Sequence, residues 1–162
     1  MKKTLSVLLS LIASSSAIAT PQRPSEAEIQ GRNTYFITPY KTICNVDLQY
    51  QETANTAEEA IQLEQIFETS LGYALTLNAK GQAYVQLAIK EWNEKMVFAT
   101  DPNITFTIRD ADIKGQYITN NYCLEKNLVL HHVNTHEWGS YIVKLQGKPH
   151  QAITFRIVKE QE

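Results

Sequence analysis

Cysteine is scarce in this 162-residue chain, and Cys44 and Cys123 are the only two. With no Cys-x-x-Cys, thioredoxin-type redox chemistry and zinc ribbons have no motif to rest on. An excess of one charge is also lacking. Fifteen Lys and Arg against seventeen Asp and Glu leave a net of −2, so there is no electrostatic footprint for nucleic acid or an anionic membrane. The sequence has no Gly-x-Ser-x-Gly, no serine with a placed His/Asp pair and no glycine-rich phosphate loop. It therefore offers no motif for nucleophilic or phosphoryl chemistry. After residue 19 no apolar run approaches the roughly 20 residues that a membrane-spanning helix needs. Internal repeats and low-complexity tracts are missing too.

What is present begins at the first residue. Lys2-Lys3, an apolar run from Leu5 to Ala13, three serines and Ala17-Ile18-Ala19 form the pattern of a secretory signal peptide over residues 1–19. Cleavage after Ala19 leaves 143 of the 162 residues. These hold thirteen basic and seventeen acidic side chains, a net of −4. No cysteine follows the cleavage site to carry a lipid. The short basic start suits a bacterial export signal, so the expected location is the periplasm or the outside medium.

Export changes how the two cysteines read. In an oxidising compartment, an even pair in a small domain forms a structural disulfide. Cys44 and Cys123 are 79 residues apart, and closing so long a loop is worth about 4 kcal/mol in chain entropy.

Residues 20–33 carry two prolines, several charges and little apolar pattern, and predict a flexible mature N-terminus. Residues 34–162 then predict one β-sandwich domain. From Thr34 to Tyr50, β-branched and aromatic residues on either side of Pro39 predict two strands. One short helix is expected near residues 56–68, with Thr56 as its cap and Glu59 completing a capping box. Alternation through Tyr73, Leu75 and Leu77, then a turn at residues 78–81, then residues 84–89, predicts a β-hairpin. Lys90 to Lys95 reads as a solvated connection. Ile104, Phe106 and Ile108, then residues 117–133, add further strands. Residues 141–145 and 153–157 around Gly147-Lys148-Pro149 predict a last hairpin. Seven to eight short strands at this spacing predict a mainly β fold, an antiparallel, jelly-roll-like β-sandwich.

The order of these pieces resembles the bacterial pre-peptidase C-terminal type of β-sandwich over Gly72 to Val158. The matching strings are Tyr73-Ala74-Leu75-Thr76-Leu77, Ala79-Lys80-Gly81-Gln82, Val85-Gln86-Leu87 and Phe106-Thr107-Ile108. Gly139-Ser140-Tyr141-Ile142-Val143 and Thr154-Phe155-Arg156-Ile157 complete the set. Small periplasmic lysozyme inhibitors resemble the same sandwich, so the resemblance admits an inhibitor role. The connection over residues 90–103 is longer than that family's. The inhibitors' Ser-Gly-x-Tyr-like reactive loop has only Ser70-Leu71-Gly72-Tyr73 as a counterpart, so no inhibitory residue is carried over.

Candidate chemistry is sparse. His131, His132 and His136 cluster, but neighbours on a strand face opposite ways, so His131 and His132 cannot share a metal. His132 and His136 could converge across the turn at Asn134-Thr135, yet zinc lacks further ligands at a recognisable spacing. The reading favoured is a surface loop with incidental histidines and no metal. Asp110-x-Asp112-x-x-Gly115 is a calcium candidate that lacks a third oxygen ligand and the bidentate glutamate. No cofactor is expected. Trp138, His136, His132, Tyr122 and Trp92 form the candidate binding patch, because large aromatics beside charges mark contact surfaces. The competing reading is that the tryptophans cover the ends of the core.

These readings converge on an exported, non-enzymatic binding protein that docks another protein through its loops. An inhibitor or immunity role toward a cell-wall hydrolase or toxin is the concrete version. The alternatives are a glycan- or calcium-binding accessory module, and an exported enzyme or toxin without a recognisable motif.

Overall fold

The computed structural model describes residues 23–64, 66–67 and 71–160. The signal peptide expected over residues 1–19 lies outside the described residues. Within them the protein is mainly β, a sandwich of two sheets with two helices packed against the larger one. Helices α1 (Glu26–Tyr35) and α2 (Ile37–Asn45) lead into β1 (Leu48–Tyr50), the single turn α3 (Ala57–Ala60) and β2 (Ile66–Phe67). Then follow β3 (Leu71–Thr76), β4 (Gln82–Ile89), β5 (Glu94–Thr100), β6 (Thr105–Ile108) and β7 (Asp112–Thr119). After a 3₁₀ turn at Leu124–Lys126 come β8 (Val129–Thr135), β9 (Gly139–Gln146) and β10 (Ala152–Lys159). One sheet runs β1-β3-β10-β5-β8-β7 and the other β2-β4-β9-β6. Pairing is antiparallel except for β1 on β3 and β2 on β4. Both parallel pairs involve very short strands at sheet edges.

The N-terminal expectation is corrected. Residues 26–33 are not a flexible lead but most of α1. Ser25 caps it, its Oγ accepting from the Glu28 amide at 3.2 Å, and Glu28 pairs with Arg32 one turn later. Pro24 precedes that cap, where proline does no harm, and Ser25-x-x-Glu28 is itself a helix-start signal. The two strands expected around Pro39 are corrected as well. Pro39 sits in the first turn of α2, where its missing N–H is not needed. Tyr40, Ile43 and Cys44 fall at helical spacing and are all buried. Only Leu48–Tyr50 of that stretch is a strand. The helix expected near residues 56–68 is confined to Ala57–Ala60, although its capping box forms. Thr56 Oγ1 accepts from the Glu59 amide at 3.2 Å, and the Glu59 carboxylate accepts from the Asn55 amide at 2.9 Å.

Both expected hairpins are corrected to arches. β3 pairs with β10, whereas β4 pairs with β9, so the turn at residues 78–81 carries the chain from one sheet to the other. The connection around Gly147 does the same between β9 and β10. Period-two alternation cannot separate these cases, because an arch and a hairpin both keep the apolar face inward. The two arches pack together: the Gly147 amide donates to the Gly81 carbonyl at 2.9 Å. Gly81 has φ +71°, and a Cβ there would lie 2.2 Å from the Gly147 carbonyl oxygen, so only glycine fits.

Residues 90–103 are not one long connection. They contain β5, which lies near the centre of the larger sheet between β10 and β8. Met96, Val97, Phe98 and Ala99 are all fully buried, because both faces of this strand are covered. Met96 and Phe98 face the other sheet, where Phe98, Phe106 and Phe155 stack with centroids 5.1–6.2 Å apart. Val97 and Ala99 face α2 in a second core with Tyr40, Ile43, Ile118, Leu130 and Val158. The Cys44–Cys123 disulfide joins the last turn of α2 to the loop after β7, with Cα atoms 5.8 Å apart.

Candidate functional site

Three connections meet at one end of the sandwich. Ile89 of β4 pairs with Gly139 of β9, and Glu94 of β5 pairs with Thr135 of β8. The loops at residues 90–93 and 136–138 therefore cross between the sheets side by side. The turn after β6 reaches the same end, since the Arg109 amide donates to the Ile142 carbonyl and Asp112 pairs with Asn134. Trp92 and Trp138 stand on the first two loops, each 64 % exposed. They do not cap the core.

The loop bearing Trp138 is braced from below. Tyr141, buried in β9, donates its hydroxyl hydrogen to the Glu137 carbonyl at 2.8 Å. Gly139, with φ +146°, lets β9 start directly after the tryptophan. Beside this loop lies a cleft of about 680 Å³, lined by Arg109, Asp110, His136, Glu137, Trp138 and Tyr141 among others. Asp110 holds the tight turn with φ +62°, a conformation that aspartate tolerates better than most residues. No other described residue bonds the Arg109 guanidinium or the Asp110 and Glu137 carboxylates. His136 is partly committed: its Nε2 is 2.9 Å from Asp112 Oδ2, which Lys114 also approaches at 2.7 Å. The hydrogen bonds from Lys114 and His136 hold the Asp112 carboxyl below its ordinary pKa.

The structure thus gathers Trp138, His136 and Asp110, with Trp92 on the neighbouring loop, and separates the rest of the expected patch. Tyr122 lies at the other end of β8, in the loop after β7. Its hydroxyl donates to the Asn33 carbonyl at 2.9 Å, and Lys41 sits over its ring. His132 is 2 % exposed beneath α2 and is removed from the patch by burial. It also does not converge with His136. Its Nδ1–H donates to Glu160 at 2.5 Å, because a carboxylate only accepts, and its Nε2 lies 2.6 Å from the Tyr40 hydroxyl. This Tyr–His–Glu chain has the connectivity of a proton relay, but the Tyr40 ring is wholly buried, out of reach of a substrate. Burial also pushes the Tyr40 hydroxyl pKa up.

His131 and His132 do face opposite ways, as expected, but neither lies on a surface loop. His131 is fully buried between the sheets, stacked on Phe106 at 4.9 Å, with Nε2 3.1 Å from Thr100 Oγ1 and no partner for Nδ1. Burial, aided by neighbouring His132, lowers its pKa to about 3. The calcium candidate is not assembled: Asp112 is taken by Lys114 and His136, and Gly115 lies within β7. Among the described residues no group of three His, Cys, Asp or Glu side chains could hold a metal ion. No described helix is long and apolar enough to cross a membrane.

Sequence reading missed Arg109 as a cleft residue. It directly follows an alternating strand, and the signal that could have found it was the Arg109-Asp110 pair at a strand end. Which end of the sandwich that turn occupies is a matter of topology. No known family model matches the sequence, and no curated protein matches it.

Proposed function

We propose that the protein is an exported, non-enzymatic binding protein that engages another protein through the loop end bearing Trp92 and Trp138. The observation that carries this reading is the pair of tryptophans on adjacent loops, each 64 % exposed, on a frame whose larger inward-facing aromatics are buried. Leaving two indoles in water forgoes burial energy, and tryptophan at the centre of a contact surface contributes more than most residues. Loops held by a rigid sandwich are a common place for such contacts. The Cys44–Cys123 bond supports export, since disulfides persist in oxidising compartments. The concrete partner we infer is a cell-wall hydrolase in the periplasm, held in an inhibitor or immunity relationship. The resemblance of residues 72–158 to inhibitor-type sandwiches motivates it. Titrating a panel of lysozymes and other wall hydrolases into the protein tests this, with residual lytic activity as a second readout. Saturable binding weakened by Trp138→Ala is the expected result. Absence of binding across the panel, or binding indifferent to both tryptophans, would sink it.

A further inference from the structure

We propose that the cleft beside Trp138 is a saccharide subsite, taking an uncharged pyranose ring of a cell-wall glycan. The inference rests on the loop end being the working surface, and it adds a ligand class to that surface.

Three observations carry it. The first is shape and chemistry combined: a cleft of about 680 Å³ has a largely exposed indole on its wall, and Tyr141, Arg109, Asp110, His136 and Glu137 complete it. That volume is typical of small-ligand sites. A pyranose offers an apolar C–H face and a rim of hydroxyls. The face suits the electron-rich surface of an indole, and the rim suits charged hydrogen-bonding groups.

The second observation is unused bonding capacity. The Arg109 guanidinium and the Asp110 and Glu137 carboxylates have no bonding partner among the described residues. The cleft therefore offers both fork-shaped donors and acceptors, the combination that a hydroxyl, itself donor and acceptor, can satisfy. A hydrocarbon ligand would leave these groups desolvated and unpaired, which is costly. A strongly charged ligand would meet a like charge whichever sign it carried, since the Arg109 guanidinium stands against the Asp110 and Glu137 carboxylates.

The third is the second tryptophan. Trp92 leaves the paired position Ile89, and Trp138 immediately precedes its partner Gly139. Two exposed indoles on side-by-side loops suit successive rings of a chain better than a single compact molecule. The braced Trp138 loop also avoids the ordering cost that weakens binding by mobile segments.

The test titrates the purified protein with triacetylchitotriose and, separately, with maltotriose, following tryptophan fluorescence. A parallel arm measures co-sedimentation with intact peptidoglycan sacculi. We expect a saturable fluorescence change with at least one trisaccharide and retention on sacculi. Trp138→Ala should weaken affinity by about tenfold or more, the factor that goes with one good aromatic contact. Trp92→Ala should reduce retention on sacculi more than binding of the trisaccharide. Asp110→Asn, which keeps a residue suited to the turn, should weaken binding, and Tyr122→Phe at the far end should not. Circular dichroism checks that each variant is folded. No saturable change with either sugar and no sedimentation by the folded protein would overturn the proposal, as would unaltered binding by Trp138→Ala. If hydrolase binding depends on Trp138 while every sugar arm is silent, the saccharide subsite falls and the binding-protein reading stands. If both fail, both fall.

Discussion

β8 has a different core on each side, and the two are held together by different means. Toward the other sheet the contacts are almost wholly apolar, with Phe98, Phe106 and Phe155 at the centre. Toward α1 and α2 the apolar core is smaller and is stitched by directed bonds. Tyr40 reaches His132, which in turn bonds Glu160, the Asn120 side chain donates to the Tyr40 carbonyl, and Asn33 donates to the Thr119 carbonyl. Arg32 and Lys126 donate to the carbonyls of Lys114 and Cys44, and the disulfide adds a covalent tie. Two interdigitating sheets fix their own register through alternation. Helices of ten and nine residues present too narrow a stripe for that, so polar bonds and a disulfide position them.

The adjacent histidines show the contrast at single-residue scale. His132, on the stitched side, has a partner for each ring nitrogen. His131, on the apolar side, has one nitrogen unpaired.

The sharpest way to break the comparison is to remove the tie. Replacing both cysteines by alanine should cost about 4 kcal/mol in denaturant unfolding. Amide exchange should show α2 loosening before the inter-sheet strands. Equal protection loss in both layers would mean that they are not separate stability units.

Acid should act through the inner layer. His131 has a pKa near 3 when folded against an ordinary 6.5, so the unfolded chain binds this proton more readily. Its contribution is whole above pH 6.5, declines as pH falls below that, and levels off below about 3. Near pH 4 the loss approaches about 3 kcal/mol, at the limiting slope of about 1.4 kcal/mol per pH unit. His131→Leu should flatten the stability profile across that window, and an unchanged slope in this variant would assign the acid sensitivity elsewhere.

A smaller effect is expected from Tyr40→Phe. It keeps the ring in the helical core but strands His132 Nε2, for a loss of about 1–2 kcal/mol by thermal or denaturant unfolding. A neutral outcome would show that the stitches guide the helices without stabilising them. The smallest effect belongs to the loop end. Trp138→Ala and Trp92→Ala should stay within about 0.5 kcal/mol of the parent in the same measurement, because the side chains are largely exposed. A larger loss would return the tryptophans to the role of core covers.

The inter-sheet layer was the legible one. Leu75, Val85, Phe106, Val143 and Phe155 each sit in an alternating run, and all face the core between the sheets. The central strand β5 escaped notice for the opposite reason: covered on both faces, it has no alternation to read. The helical layer was misread because α1 is polar on most of its surface and because Pro39 looked like a strand break. At the loop end, Trp92, Trp138 and His136 were legible as exposed aromatics and charge. Their grouping with Arg109 and Asp110, and their separation from Tyr122 and His132, were not.

The sequence by itself determined the β class, the disulfide partners and the residues rich enough in chemistry to matter. Alternation, cysteine count and residue type are local or pairwise properties, readable without knowing the path of the chain. Only the tertiary structure decided that the expected hairpins are arches, that helices cover the outer face of the larger sheet, and that three loops meet at one end. Those outcomes depend on which strands pair across long stretches of chain. Burial on the two sides of a strand then determines whether one histidine is locked in a core and the next is wired to a tyrosine.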